Sequence, residues 1–164
     1  MKRVLLIGNS GSGKSTLAAR LASRDGLAHL DLDTLAWLPT DPPARRLLAD
    51  SEREIQGFAS ARDRWVIEGC YADLIGLVTA GATRLVFLNP GVEACIANAR
   101  ERPWEPHKYA SKAAQDENLD MLIGWIRGYE TRTDELSLSA HRRLFDAFTG
   151  DKVELTSREA IAES

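Results

Sequence analysis

The chain has 164 residues, 44% of them hydrophobic and 27% charged, and its 21 Lys and Arg against 24 Asp and Glu leave a formal charge of −3. At about 100 to 200 residues per domain this is one domain with at most a small insertion, long enough to bury about 68 to 70% of its unfolded surface without disulfides. The acidic balance excludes a global basic field that would draw the protein onto nucleic acid or an anionic membrane, so a bound anion has to be held by a local site.

Met1-Lys2-Arg3 resembles the start of a signal peptide, but the apolar run Val4 to Ile7 stops at Gly8, short of the roughly 7 to 15 residues required. With no apolar stretch near the roughly 20 residues of a bilayer span, the expectation is a cytoplasmic protein with no membrane partner. Short apolar runs then alternate with helical patterns to the last residue, the signature of parallel strands joined by crossover helices. Strands are expected at 3–7, 28–32, 65–68, 84–88 and 152–155. The first helix, 14–24, carries Leu17, Leu21 and Ala22 on one face and ends before Gly26. A second, 44–62, places Leu47, Leu48, Ile55 and Phe58 at three-to-four spacing. Helices follow at 71–78, 92–102 and 112–132, the last with a core stripe of Leu119, Leu122, Ile123, Ile126 and Tyr129, then at 138–148 and 157–162. Cys70 and Cys95 form no CxxC pair and read as buried thiols. The irregular stretches 38–43 and 103–110 have the length and placement of binding loops or lids.

Gly8-Asn9-Ser10-Gly11-Ser12-Gly13-Lys14-Ser15 satisfies G-x-x-x-x-G-K-[ST] between a strand and a helix, the context that makes the motif specific. Its glycines let successive N–H groups curl around phosphate oxygens at the positive end of the next helix. Lys14 is placed to reach the β- and γ-phosphates, the Ser15 hydroxyl to ligate Mg²⁺, and Thr16 to donate to an α-phosphate. The motif therefore implies ATP and Mg²⁺. There is no NKxD-type guanine signature, no LSGGQ-type signature and no room for a helical lid domain of the AAA type, which leaves mainly the small phosphoryl-transfer kinases.

In such kinases the second substrate meets the triphosphate at the carboxyl ends of the strands. Asp31 and Asp33, two positions apart and about 6 to 7 Å from each other, close the second strand. Asp33 is expected to orient or deprotonate the acceptor hydroxyl and Asp31 to help hold the metal. Glu68, before Gly69, Cys70 and Tyr71, is either a metal-side acid or a substrate ligand, and Tyr71 is counted with the substrate side. With Asn89 where an acid commonly ends the fourth strand, metal holding falls to Ser15, Asp31 and Glu68.

The phosphate loop, with Leu32-Asp33-Thr34-Leu35-Ala36-Trp37-Leu38-Pro39 and Trp65-Val66-Ile67-Glu68-Gly69-Cys70-Tyr71, resembles bacterial adenylate kinase-related proteins called DNA topology modulation proteins, within the wider nucleoside monophosphate and shikimate kinase-like group. The resemblance runs from Met1 to about Arg100. It implies a three-layer α/β/α sandwich, a P-loop kinase-like fold with a five-stranded parallel sheet in the order 2-3-1-4-5 and a lid after the fourth strand, at about residues 100–135. Glu68-Gly69-Cys70-Tyr71 stands where adenylate kinases carry Asp-Gly-x-Pro-Arg and where shikimate kinases carry a glycine cluster.

Family kinases place lid arginines near Arg100 and Arg102, which read either as covers for the transferring phosphoryl group or as cations favoured at a helix C-terminus. Arg127 and Arg132, with Glu130 and Asp134, read either as closing onto phosphate or as a salt-bridged outer face. His107 reads as a structural or surface residue, or else with Lys108 as a lid donor to phosphate. Trp37, Trp65, Trp104 and Trp125 read as packing anchors, Trp37 also as an acceptor-loop residue. His29 and His141 read as structural. The expectation is an ATP- and Mg²⁺-dependent kinase acting on a nucleotide, a nucleoside or a small hydroxy metabolite, as a monomer or weak dimer without a nucleic-acid partner. An ATP-binding regulatory protein is the alternative.

Overall fold

The computed structural model describes residues 1–164. Strands β1 (Arg3–Gly8), β2 (Ala28–Asp31), β3 (Trp65–Gly69), β4 (Arg84–Leu88) and β5 (Asp151–Leu155) form one sheet in the order β2-β3-β1-β4-β5. Every pairing is parallel. β1 is central, between β3 and β4, and helices pack on both its faces, so its sequence is apolar without alternation.

Side-chain alternation divides the core into two layers. Val4, Leu6, Val66 and Val86 pack against Leu17 and Leu21 of α1 (Lys14–Asp25) and Ile161 of α8 (Arg158–Ala162). On the other face, Leu5, Ile7, Ile67 and Phe87 meet α2 (Asp33–Ala36), α3 (Leu48–Ser60), α4 (Ala72–Gly76) and α7 (Leu138–Ala147) through Ala36, Ile55, Ile75 and Ala140. Each such Leu or Ile contributes about 1.5 to 3 kcal/mol by leaving water. The helices α5 (Val92–Glu101) and α6 (Lys112–Arg127) share a separate cluster of Cys95, Ile96, Ala99, Ile123 and Ile126.

Three differences from the sequence expectations have local causes. The helix expected from Ala44 begins at Leu48, because residues 44–46 pair with residues 36–38 in a small antiparallel hairpin instead. There Leu38 N–H donates to Ala44 O at 2.8 Å and Arg46 N–H to Ala36 O at 2.9 Å. Leu47, expected on the core face, is consequently 75% exposed, and Leu48 is exposed with it. The helix expected to run to Arg132 stops at Arg127, and a 3₁₀ turn at Gly128–Glu130 carries Arg132 off the helix. The four-residue α2 is too short to show a periodicity. Of the four tryptophans only Trp65 is buried; Trp37, Trp104 and Trp125 are exposed, so the packing-anchor reading fails for those three. No helix is long and apolar enough to cross a membrane.

Candidate active site

The carboxyl ends of β1, β2 and β3 open onto one crevice because these strands are neighbours. Gly11 and Gly13 adopt φ of 78° and 97°, and a Cβ on Gly11 would stand 2.5 Å from the Cys95 carbonyl oxygen, so the loop after β1 needs glycine for both conformation and space. Its ends are pinned: Asn9 Nδ2 donates to Ile126 O at 3.3 Å and Asn98 Nδ2 to Gly11 O at 2.8 Å. The buried Lys14 ammonium donates to Asn9 O at 2.7 Å and to Ser12 Oγ at 3.4 Å. Gly13 offers no side-chain cap to α1, leaving first-turn N–H groups to an anion.

Glu68 is almost fully buried beside this loop, since it pairs with Leu6 of β1 on one side and Asp31 of β2 on the other. Ser15 Oγ donates to Glu68 Oε1 at 2.8 Å, and His29 Nε2 lies 3.1 Å from the same oxygen. His29 thus has a partner in the site, contrary to its purely structural reading; its two-residue spacing from Asp31 puts both on one face of β2 and was the available signal. Burial, with Asp33 and Glu68 nearby, pushes the Asp31 carboxyl up to about 6. Asp31 Oδ1 also accepts the Asp33 N–H at 2.9 Å, starting α2. No three His, Cys, Asp or Glu side chains converge as a ready metal cage. The hard oxygen donors of Ser15, Glu68 and Asp31 nevertheless fit Mg²⁺, which usually takes one or two carboxylates and completes its shell with phosphate and water.

Asp33 is held from three elements. Its Oδ1 accepts the Tyr71 hydroxyl at 2.6 Å, that hydroxyl accepts Trp37 Nε1 at 2.8 Å, and Asp33 Oδ2 receives Lys108 Nζ at 3.2 Å. Burial alone would raise the Asp33 pKa, but Lys108, the Tyr71 hydroxyl and Lys14 outweigh it and hold the carboxyl below its ordinary value. Burial and the neighbouring Cys70 and Asp33 push the Tyr71 phenol far up, so it stays a donor. Lys108 loses by burial and gains more from Asp33, Asp31 and Glu105, which leaves its pKa raised.

A cleft of about 300 Å³ separates the phosphate loop from the segment after α5, with Lys14, Ser15, Asp33, Glu68, Arg102 and Lys108 on its walls. Past Gly13 and Thr16 it continues into a second cavity of about 370 Å³ bounded by Arg20, Asn98, Arg102 and Arg158. Trp37 and Tyr71 touch Asp33's network without lining the cleft. Arg100 and Arg127 are exposed and line neither cavity. Arg132 stacks on Trp125 at 3.8 Å, donates to the Trp125 carbonyl and faces Asp134. The fold therefore gathers Lys14, Asp33, Glu68 and Arg102 and leaves Arg100, Arg127 and Arg132 outside the cleft. His141 is fully buried, accepts the Tyr129 hydroxyl at 2.6 Å and donates to Cys70 O at 2.7 Å, and burial holds its pKa down to about 4. Cys70 and Cys95 are free and buried.

Five parallel strands in the order 2-3-1-4-5, helices on both faces and a phosphate loop after the first strand make this the P-loop kinase fold. Solved structures aligned over 99% of this chain include a sugar kinase from Janibacter sp. HTCC2649 (TM-score 0.56, 91% of that chain), a gluconokinase from Sinorhizobium meliloti 1021 (0.55, 86%) and a shikimate kinase from Bacteroides thetaiotaomicron (0.55, 93%), each 16% identical. In sequence, shikimate kinases of Mycobacterium avium (strain 104) and Mycolicibacterium paratuberculosis (strain ATCC BAA-968 / K-10) are each 31% identical over 96 residues, 58% of this chain. The chain spans about half the length of these curated relatives, 51%. No family model matches it.

Proposed function

We propose that the protein is an ATP- and Mg²⁺-dependent kinase that transfers the γ-phosphoryl group to a hydroxyl of a small molecule, working as one cytoplasmic catalytic unit whose lid is the region of residues 100–135. The observation that carries this reading is an ionised Asp33 facing the phosphate-loop lysine across one cleft. The sequence similarity to shikimate kinases supports the same reaction class and names no acceptor.

The backbone N–H groups of Gly11 to Ser15 bind the triphosphate, and Lys14 leaves Asn9 O to meet its β- and γ-phosphate oxygens. Ser15, Glu68 and Asp31 would hold Mg²⁺, which would supply positive charge against those oxygens. Asp33, fixed by Tyr71, accepts the hydrogen bond of the acceptor hydroxyl and aims its oxygen at the γ-phosphorus. The new O–P bond forms as the bond from γ-phosphorus to the β–γ bridging oxygen breaks, and the bonding electrons leave with ADP. The hydroxyl proton passes to Asp33 and from there to solvent. Arg102 covers the transferring group from the lid side.

The test is ADP release from ATP·Mg²⁺ with single small hydroxy compounds, nucleosides and nucleoside monophosphates. Release above the ATP-only rate, reduced about 10²-fold or more by Lys14→Ala, is the expected result. A rate indifferent to every acceptor marks a nucleotide-binding regulator instead.

A further inference from the structure

The acceptor end of the cleft answers its own cations. Lys108 Nζ lies 3.2 Å from Asp33 Oδ2 and Arg102 lies 3.5 Å from Glu105 Oε2. Arg45 and Arg46, on the loop leading into α3, do not line the cleft and are paired as well, Arg45 3.0 Å from Asp73 and Arg46 2.7 Å from Glu54. The Arg45 guanidinium is closed in further by the Tyr71 ring at 4.9 Å. Lys14 belongs to the phosphate loop.

The carboxylates, by contrast, have accepting capacity to spare. Glu105 Oε2 has Arg102 as its ion-pair partner at 3.5 Å but takes no hydrogen bond. Asp33 takes one donor on each oxygen, where each oxygen has lone pairs for two. A hydroxyl brings a donor to such a site at no electrostatic cost. A carboxylate or phosphate brings acceptors and a like charge, and it must break an existing ion pair to find a cation.

Resting on the kinase reading, we infer that the acceptor is an uncharged polyol: a small molecule without carboxylate or phosphate, with one hydroxyl for transfer at Asp33 and a second to donate to Glu105. The cations of the cleft wall that would hold an acidic acceptor, Arg102 and Lys108, are paired with this chain's own Glu105 and Asp33. Glu105 is then a specificity-determining residue of the lid side.

Matched acceptors isolate the charge. ADP release from ATP·Mg²⁺ is measured with glycerol against glycerate, D-glucitol against D-gluconate and shikimate methyl ester against shikimate, with AMP as the phosphate-bearing case. The uncharged member of an active pair is expected to have about tenfold or higher kcat/KM, the worth of not breaking an ion pair. Glu105→Gln, which leaves Arg102 without its partner, is expected to shrink that ratio by about threefold or more by favouring the acid. Preference for the acid or for AMP, or a ratio unmoved by Glu105→Gln, overturns the inference. Stimulation by no compound at all, with ATP·Mg²⁺ still binding, overturns the kinase reading and the inference with it.

Discussion

Gly11 shows how a single residue couples the phosphate loop to the rest of the molecule. Its φ of 78° and the 2.5 Å that would separate a Cβ from the Cys95 carbonyl oxygen are both backbone constraints, which no rotamer change relieves. Gly11→Ala is expected to cost about 1 to 3 kcal/mol in urea denaturation and to weaken ATP binding as well; unchanged values of both would contradict the described approach of α5 to the loop. His141 is a second residue with a readable consequence. Its pKa falls from 6.5 to about 4 on folding, so between those values the unfolded chain binds a proton that the folded chain does not. The stabilisation is complete above about pH 6.5 and is lost as pH falls toward 4, by about 3 kcal/mol over the window. Asp31 acts in the opposite sense: its raised carboxyl makes the folded chain bind more protons, so its contribution falls as pH rises from about 4 to 6. The comparison to make is therefore the pH slope of urea stability in wild type and in His141→Gln. Loss of the acid-side decline in the variant is expected, and parallel slopes would contradict it.

Among the elements, those with dense local signals were legible in the sequence. Strand β1 is a run of buried aliphatics ending in a glycine-rich loop, and Asp33 and Glu68 stand directly after or at the ends of strands, where a crevice must open. The loop proposed as part of a lid was legible only as a gap, a Pro-containing stretch between two helices. What it does is a matter of contacts remote in sequence: Lys108 reaches Asp33 across 75 residues, and no pattern of spacing encodes that. The same holds for choosing among the arginines, since Arg100 and Arg102 are two residues apart and only the bend after α5 puts one of them in the cleft. The loop between α5 and α6 is tied to α6, with Glu105 N–H on Gln115 Oε1 at 2.9 Å and Asn118 Nδ2 on the Tyr109 hydroxyl at 2.8 Å, while Lys108 remains part of its exposed edge. A non-hydrolysable ATP analogue with Mg²⁺ is expected to slow tryptic cleavage after Lys108 and Lys112 by about tenfold, because closure over the triphosphate removes that edge from solvent. Cleavage as fast at saturating analogue as without it would count against a closing lid.

At the scale of the whole molecule, the sheet is the rigid part and chemistry is distributed over what leaves it. β1 and β3 bring Lys14, Ser15 and Glu68 together, β2 delivers Asp33, and the separately packed α5–α6 pair supplies Arg102 and, through the loop between them, Lys108. Under the proposed mechanism the end of β2 serves both substrates, Asp31 on the nucleotide's metal and Asp33 on the acceptor, and that division can be measured directly. Asp33→Asn keeps the size of the side chain and removes its charge. Calorimetry of ATP·Mg²⁺ binding is combined with single-turnover transfer to an active acceptor, in wild type and in this variant. ATP affinity within about threefold of wild type with transfer slowed by about 10² to 10⁴ is the expected result, the usual worth of a positioned base. ATP binding weakened tenfold or more while transfer per bound ATP stays normal would place Asp33 with the metal and contradict the assignment of the acceptor to it.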